Sequence, residues 1–395
     1  MYNKALSSPI DQMIYVSFNQ NASCFALGTE KGFKVFDSFN FGRDVHERVM
    51  DGGIGIVELY YRSNYIALVG GGKHPKYPKT KVVLWDDYNT KIVAEFKFTS
   101  SIKNVKLKRD KIVIVCKKKL FLFSLLTYNN LLNIDTSDNP QGLVSVNVDP
   151  LNTVIAYLTN TETIENAAIK IHHFEQGKDV VISPAYESAI SYFALNYDGS
   201  LIAIASDKGT IIRIYRTNDG MFLQEFKRGK EKAEISYICF DQQCKLMAAT
   251  SDRGTIHIWS MGSCIKKSKE TPVVEIAKKG VINGELKEIN EEDSFPKNKN
   301  SILSSLPGIG EYFKSEWSFA QVRLDNQKSI CAFGPDNTII AITAEGRYYQ
   351  AQIDMKRGGN CKILKEEELV NCQSMNNRNK NYTTNDNENT GEILP

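Results

Sequence analysis

A turn of small or acidic residues closing on glycine and running straight into an alternating strand occurs four times in this chain. It stands at GTEKGFKVF (28–36), SDKGTIIRIY (206–215), SDRGTIHIW (251–259) and AEGRYY (344–349). Gly209 and Gly254 are 45 residues apart, and Gly32 lies 177 residues before Gly209, about four such steps. A period of about 40–45 residues is that of one blade in a WD-type propeller. Gly254 and Gly346 are 92 residues apart, about two steps. The sequence between them is poor in strand signals, so it reads as one blade carrying an insertion rather than as two blades. The phrases then mark blades one, five, six and seven of a seven-bladed ring, with blades two to four more degenerate. A ring of small sheets tolerates such drift, because each blade packs only on its neighbours.

The remaining signals agree with an all-β chain. Runs rich in Val, Ile, Tyr and Phe recur at 13–18, 81–85, 111–116, 119–125, 153–158, 210–215 and 255–260, separated by turn-forming clusters. No stretch before residue 260 has capped helical periodicity. The organisation expected is a lead over 1–10, a propeller over 11–370 and an Asn-rich, disordered tail over 371–395. The long loop at 261–314 is inserted in blade six, facing a membrane in the reading given below. A hydrophobic fraction of 42% supplies a large core. A formal charge of only +3 argues against a nucleic-acid binder that works by many phosphate contacts. No apolar run reaches the roughly 18–20 residues of a membrane span, and the first twenty residues lack the apolar core of a secretory signal. Eight scattered cysteines without a C-x-x-C pair fit idle thiols in a reducing compartment. The expectation is a soluble, intracellular protein.

The chemistry concentrates at FKRG (226–229), between two turns of nearly the same composition. Ser206, Lys208, Thr210 and Arg213 stand on one side; Thr250, Ser251, Thr255 and His257 stand on the other. Hydroxyl donors, a guanidinium fork and a compact ammonium together suit a phosphate. Lys227 and Arg228 are adjacent, so in an extended segment they point to opposite sides. Two readings of these residues stand side by side. In one, each cation serves its own phosphate pocket. In the other, Ser and Asp merely satisfy turn backbone groups and the Lys-Arg pair is a solvated strand end.

Longer blocks point further: CFALGTEKGF (24–33), DGGIGIVE (51–58), NYIALVGGGK (64–73), PKYP (75–78), WDD (85–87), AIASDKGT (203–210), FKRG (226–229) and WSFA (317–320). In these the chain resembles the PROPPIN family, seven-bladed propellers that bind phosphoinositides, and within it the WIPI type. The similarity covers roughly residues 10–355. It implies a cytoplasmic monomer, neither enzyme nor cofactor carrier, that attaches reversibly to membranes bearing phosphatidylinositol 3-phosphate. Phosphatidylinositol 3,5-bisphosphate is a second ligand of the family. The membranes implied are autophagosomal, endosomal or vacuolar, or those of a plastid-type organelle, and the partners are autophagy-type lipid-transfer or scaffold proteins. Carried over, the first pocket uses Lys227 with Ser206, Lys208, Thr210 and Arg213; the second uses Arg228 with Thr250, Ser251, Thr255 and His257. Position 227 is Lys where the family usually has Arg, and Tyr186 stands where the family has His. Both departures fall on the first pocket, so the second is expected to be the stronger. The rival is a propeller scaffold with weakened or lost lipid binding.

Within the insertion, Ile302, Leu303, Leu306, Ile309, Tyr312 and Phe313 follow three- and four-residue steps. In the family this loop dips into the bilayer; the alternative is that the stripe packs back on the propeller. Lys266, Lys267, Lys269, Lys278 and Lys279 are expected to face anionic lipid. Asn19 and Asn21 match a family position that docks a lipid-transfer partner, although Asn21 replaces the usual acid. The run Gly70 to Lys73 lacks the spacing of a phosphate loop and reads as a tight hairpin. His172 and His173, adjacent on a strand, point apart and hold no metal.

Overall fold

The computed structural model describes residues 13–41, 45–161, 164–184, 189–269, 295–300, 315–325 and 327–369. Seven antiparallel sheets follow one another around a central channel, each with four main strands in chain order. From first strand to fourth they run Tyr15–Phe18 to Val45–Val49, Ile54–Leu59 to Lys91–Lys97, and Ile102–Lys108 to Asn130–Asp135. They continue Val144–Val146 to Lys178–Ile182, Ile190–Leu195 to Phe222–Lys227, Ile235–Phe240 to Ala320–Arg323, and Ser329–Phe333 to Lys362–Glu368. The fold is a seven-bladed β-propeller.

Burial explains which residues sit where. Second strands such as Leu201–Ser206, Leu246–Ser251 and Thr338–Thr343 are buried along their whole length, since a blade covers each of their faces. Their sequences are accordingly apolar or small without alternation. Fourth strands such as Asn130–Asp135 meet solvent and mix polar residues with partly exposed leucine and isoleucine. Seven hydrophobic clusters are present, one at each junction between neighbouring blades. Among the described residues no strand is shared across the closure of the ring. Blades seven and one meet through stacked rings instead: Tyr348 lies 4.2 Å from Phe41 and 6.4 Å from Phe25. The Tyr348 hydroxyl donates to the Ser38 carbonyl at 2.8 Å.

The four glycines that revealed the repeat all take positive φ, at 124° for Gly32, 57° for Gly209, 69° for Gly254 and 80° for Gly346. The expected tight hairpin at Gly70 is not formed. Strand Tyr65–Gly70 is joined to strand Lys81–Asp86 by a ten-residue loop that folds back onto the chain before blade two. Gly53 donates to the His74 carbonyl at 2.7 Å and Lys76 donates to the Gly53 carbonyl at 3.0 Å. A Cβ on Gly71 would stand 2.3 Å from the Gly55 Cα, so the glycines serve close backbone approach.

The insertion leaves strand Thr255–Ser260 of blade six as the helix Gly262–Lys269, whose Cys264 is buried against blades five and six. It returns as Lys299–Asn300, antiparallel to Glu316–Trp317, which runs parallel to Phe226–Lys227. The blade-five sheet therefore has six strands, and the insertion rejoins the fold beside the FKRG corner.

Candidate functional site

Hairpin register decides where each side chain of the corner goes. Strands Ile211–Arg216 and Phe222–Lys227 pair Ile211 with Lys227 and Arg213 with Glu225, so these four share one face. Phe226, on the other face, is fully buried between blades five and six, its ring 5.9 Å from that of Trp259. Ile202 and Ile204 pack toward blade four, and Ile204 is the strand partner of Arg213. Lys227, Arg213 and Ser206 thus lie on the blade-four face, whereas Arg228 follows Phe226 toward blade six.

On the blade-four face, Ser206 is buried and Lys227 is half-buried. Arg213 Nε bonds Glu225 Oε2 at 3.1 Å, and Ser315 Oγ donates to Glu225 Oε1 at 2.8 Å. This carboxylate, absent from the sequence reading, neutralises part of the expected phosphate-binding charge. Alternation alone places Glu225 on the Lys227 side. Thr210 contributes its carbonyl to the corner, accepting from the Arg228 amide at 2.9 Å. Lys208 sits in the preceding turn, its own carbonyl accepting from the Ala233 amide at 3.1 Å.

On the blade-six face, Arg228 is buried rather than presented to solvent. Its Nε donates to the Gly209 carbonyl at 2.6 Å and its Nη2 to the Glu231 carbonyl. Burial lowers its pKa, the nearby Asp252 opposes this, and the guanidinium remains charged. His257 shares a hydrogen bond of 3.1 Å with Ser318 and stacks on Trp259 at 5.7 Å. Burial first, and the Arg228 charge second, push its pKa down to about 4, so the ring is neutral at pH 7. Ser251 and Thr255 share the face of Ala249 and Trp259, toward blade five. Thr250 does not belong with them. Its hydroxyl is within 2.8 Å of Ser236 Oγ and donates to the Ser329 carbonyl at 2.6 Å, tying blade six to blade seven. The two-residue period of the strand separates Thr250 from Ser251, and that signal was present in the sequence.

Asn19 is buried; its Nδ2 donates to Ser23 Oγ at 3.1 Å and to the Tyr61 carbonyl at 3.0 Å. It holds a turn and is not open to a partner. Asn21 is exposed, accepting from Ser23 Oγ at 2.7 Å. Of the lysines assigned to lipid, Lys267 is turned onto blade five, its Nζ donating to the Leu223 carbonyl and to Gln224 Oε1, each at 2.7 Å. Lys266 and Lys269 lie on the same helix with exposed side chains. Tyr186, Ile302, Leu303, Leu306, Ile309, Tyr312, Phe313, Lys278, Lys279 and the stretches 1–10 and 371–395 lie outside the described residues. His172 bonds Asp179 at 2.7 Å and His173 bonds the Thr217 carbonyl at 3.1 Å, on opposite faces of their strand.

The central channel encloses about 830 Å³ and gathers groups that sequence spacing did not connect. Glu58 of blade two and Lys106 of blade three form an ion pair of 3.2 Å there. Burial acts against the Lys106 ammonium, yet the facing Glu58 carboxylate leaves its pKa above that of an ordinary lysine. Tyr15, Tyr192, Tyr237, Cys239 and Cys331 line the same space. A second cavity of about 540 Å³ lies between blades one and two, beside His46, Arg48, Arg62, Asp87 and Tyr88.

A family model described as PROPPIN matches residues 12–370. Autophagy-related protein 18e of Arabidopsis thaliana is 30% identical over 392 residues, covering 95% of this chain and 94% of the relative. Autophagy-related protein 18 of Yarrowia lipolytica is 26% identical, covering 91% and 97% respectively. Among solved structures, Hsv2 of Kluyveromyces lactis with its complete loop 6CD superposes with a TM-score of 0.68 at 19% identity, covering 91% of this chain and 99% of that one. The complex of KlAtg21 with the coiled-coil of AgAtg16 gives a TM-score of 0.67 at 21% identity, with 90% and 99% covered.

Proposed function

This chain belongs to the PROPPIN family, and from that membership we propose that it is a phosphoinositide effector acting in an autophagy-type process. Phosphatidylinositol 3-phosphate is its principal headgroup and phosphatidylinositol 3,5-bisphosphate a second. The observation that carries this reading is the division of two adjacent cations across the two faces of blade five. Lys227 stands on the face of Ser206 and Arg213, and Arg228 on the side of Ser251, Thr255 and His257. Each headgroup phosphate meets a cation and hydroxyl donors, whose charge-assisted hydrogen bonds contribute about 1.5–3 kcal/mol each. Two modest sites on one corner act by multivalency. Among the described residues no helix is long and apolar enough to cross a membrane, so attachment rests on headgroup capture and on the insertion. A bilayer anchor generally needs two such signals. The proposed partners are lipid-transfer or scaffold proteins of the autophagy type, docked near Asn21.

Flotation with vesicles containing phosphatidylinositol 3-phosphate tests the reading. Lys227→Ala and Arg228→Ala should each weaken capture, Arg228→Ala more. A larger loss from Lys227→Ala would reject the dominance of the second site, and unchanged capture by both variants would reject the function. A second reading, a scaffold with weakened lipid binding, draws on the Arg213–Glu225 pair and on the carbonyls that already hold Arg228. Wild-type protein that fails to float on any phosphoinositide would favour it.

A further inference from the structure

Two thiols face each other across the junction of blades six and seven. Cys239 lies on strand Ile235–Phe240 and Cys331 on strand Ser329–Phe333, the channel-lining strands of their blades. Their sulfurs are 3.6 Å apart, although the residues are separated by 92 positions in sequence. No other thiol–thiol contact occurs among the described residues. Cys239 is half-buried and Cys331 is fully buried, so small reagents in the channel reach the former first.

We propose that Cys239 and Cys331 are a reversible oxidation site, closing to a disulfide that braces blade six against blade seven when a hydroperoxide enters the channel. The Cys239 sulfur attacks the peroxide oxygen; the O–O bond breaks, Cys239 becomes a sulfenic acid and one water leaves. The Cys331 sulfur then attacks the Cys239 sulfur, the S–OH bond breaks and a second water leaves. Two thiols and one hydrogen peroxide thus give one disulfide and two waters, the peroxide being reduced by two electrons. Burial pushes the Cys331 thiol pKa up, which leaves little thiolate and makes its attack on the sulfenic acid the slow step. Because the sulfurs already converge, the ring needs only a local adjustment to bring them to bonding distance, about 2 Å. The bridge would add a covalent tie between blade-six and blade-seven strands that are otherwise joined by packing and by hydrogen bonds to the Ser329 carbonyl, and it would close a long loop containing the whole insertion.

The test treats the full chain with a slight excess of hydrogen peroxide and maps peptides without reduction. The expected result is a Cys239–Cys331 cross-linked peptide, a loss of two hydrogens from the intact mass and reversal by dithiothreitol. Cys239→Ser and Cys331→Ser should each abolish the cross-link. Should either serine variant fold poorly, Cys239→Ala and Cys331→Ala serve, and alkylation of the wild type before oxidation gives the same reading. The oxidised wild type should melt several degrees above the reduced form, with no such difference in the double serine variant. An unchanged mass, a sulfinic acid on Cys239 without a cross-link, or a disulfide between other cysteines would overturn the site. A cross-linked form that melts no higher than the reduced one would overturn the bracing.

Discussion

Glu225 lies 3.1 Å from Arg213 Nε, within the first of the two proposed headgroup sites. Removing that charge while keeping the shape should help the ligand. Glu225→Gln is expected to bind phosphatidylinositol 3-phosphate vesicles roughly fivefold more tightly, about 1 kcal/mol, by titrated flotation. A weaker variant would mean that the carboxylate positions Arg213 rather than masking it. His257 gives a second prediction. Its pKa falls from 6.5 to about 4 on folding, so the unfolded chain binds more protons between those values. Its contribution is complete above pH 6.5 and is lost as the pH falls through about 4, up to about 3 kcal/mol. Urea midpoints measured from pH 7 to pH 4 should fall less steeply in His257→Gln than in wild type. Equal slopes would place the ring in a wetter setting.

At the scale of elements, the turn before strand Ile211–Arg216 holds the blade-six side of the site together. Gly209 has a φ of 57°, and a Cβ there would stand 1.8 Å from the Ala233 carbonyl oxygen. The same glycine's carbonyl accepts from Arg228. Gly209→Ala should therefore cost at least about 2 kcal/mol in chemical unfolding and also loosen Arg228. Gly229 belongs to the motif yet has no atom within 4 Å of an added Cβ, and its φ is not positive. Gly229→Ala should leave stability within about 0.5 kcal/mol. If Gly209→Ala melted like wild type, the turn would be softer than its geometry implies. This contrast also shows how far a sequence can be read. The glycine period identified the blades because positive φ leaves a direct mark on composition. Two-residue alternation placed Lys227 and Arg228 on opposite sides, and applied further it would have placed Glu225 with Lys227 and removed Thr250. The burial of Arg228 and Asn19 was not legible, because most of their partners are backbone groups, which every residue carries. The Glu58–Lys106 pair was hidden as well, since only the packing of blade two on blade three brings residues 48 positions apart together at the channel.

For the molecule as a whole, strands Lys299–Asn300 and Glu316–Trp317 of the insertion join the sheet beside Lys227, so the proposed headgroup site neighbours the two points between which residues 301–314 run. Substituting Leu303, Leu306 and Ile309 with Asp should reduce vesicle flotation about tenfold or more. Binding of a soluble, short-chain phosphatidylinositol 3-phosphate, measured by calorimetry, should stay unchanged. Parallel losses in both assays would mean that the stripe packs on the propeller and supports its fold. Lys267→Ala would act differently, freeing the helix Gly262–Lys269 from the blade-five carbonyl at Leu223.

Among the described residues each of the seven blades takes its first three strands from one continuous stretch of chain, and the last blade meets the first through side chains: packed rings, the Tyr348 hydroxyl on the Ser38 carbonyl and the Lys365 ammonium on the Phe41 carbonyl. During synthesis, then, most blades can settle as they leave the ribosome, and only blades five and six wait for a later segment, Phe226–Lys227 for Glu316–Trp317 and Thr255–Ser260 for Ala320–Arg323. The same economy makes the seam between the ends the natural place to cut and rejoin the chain: a permuted protein starting at blade two would inherit every backbone ladder intact.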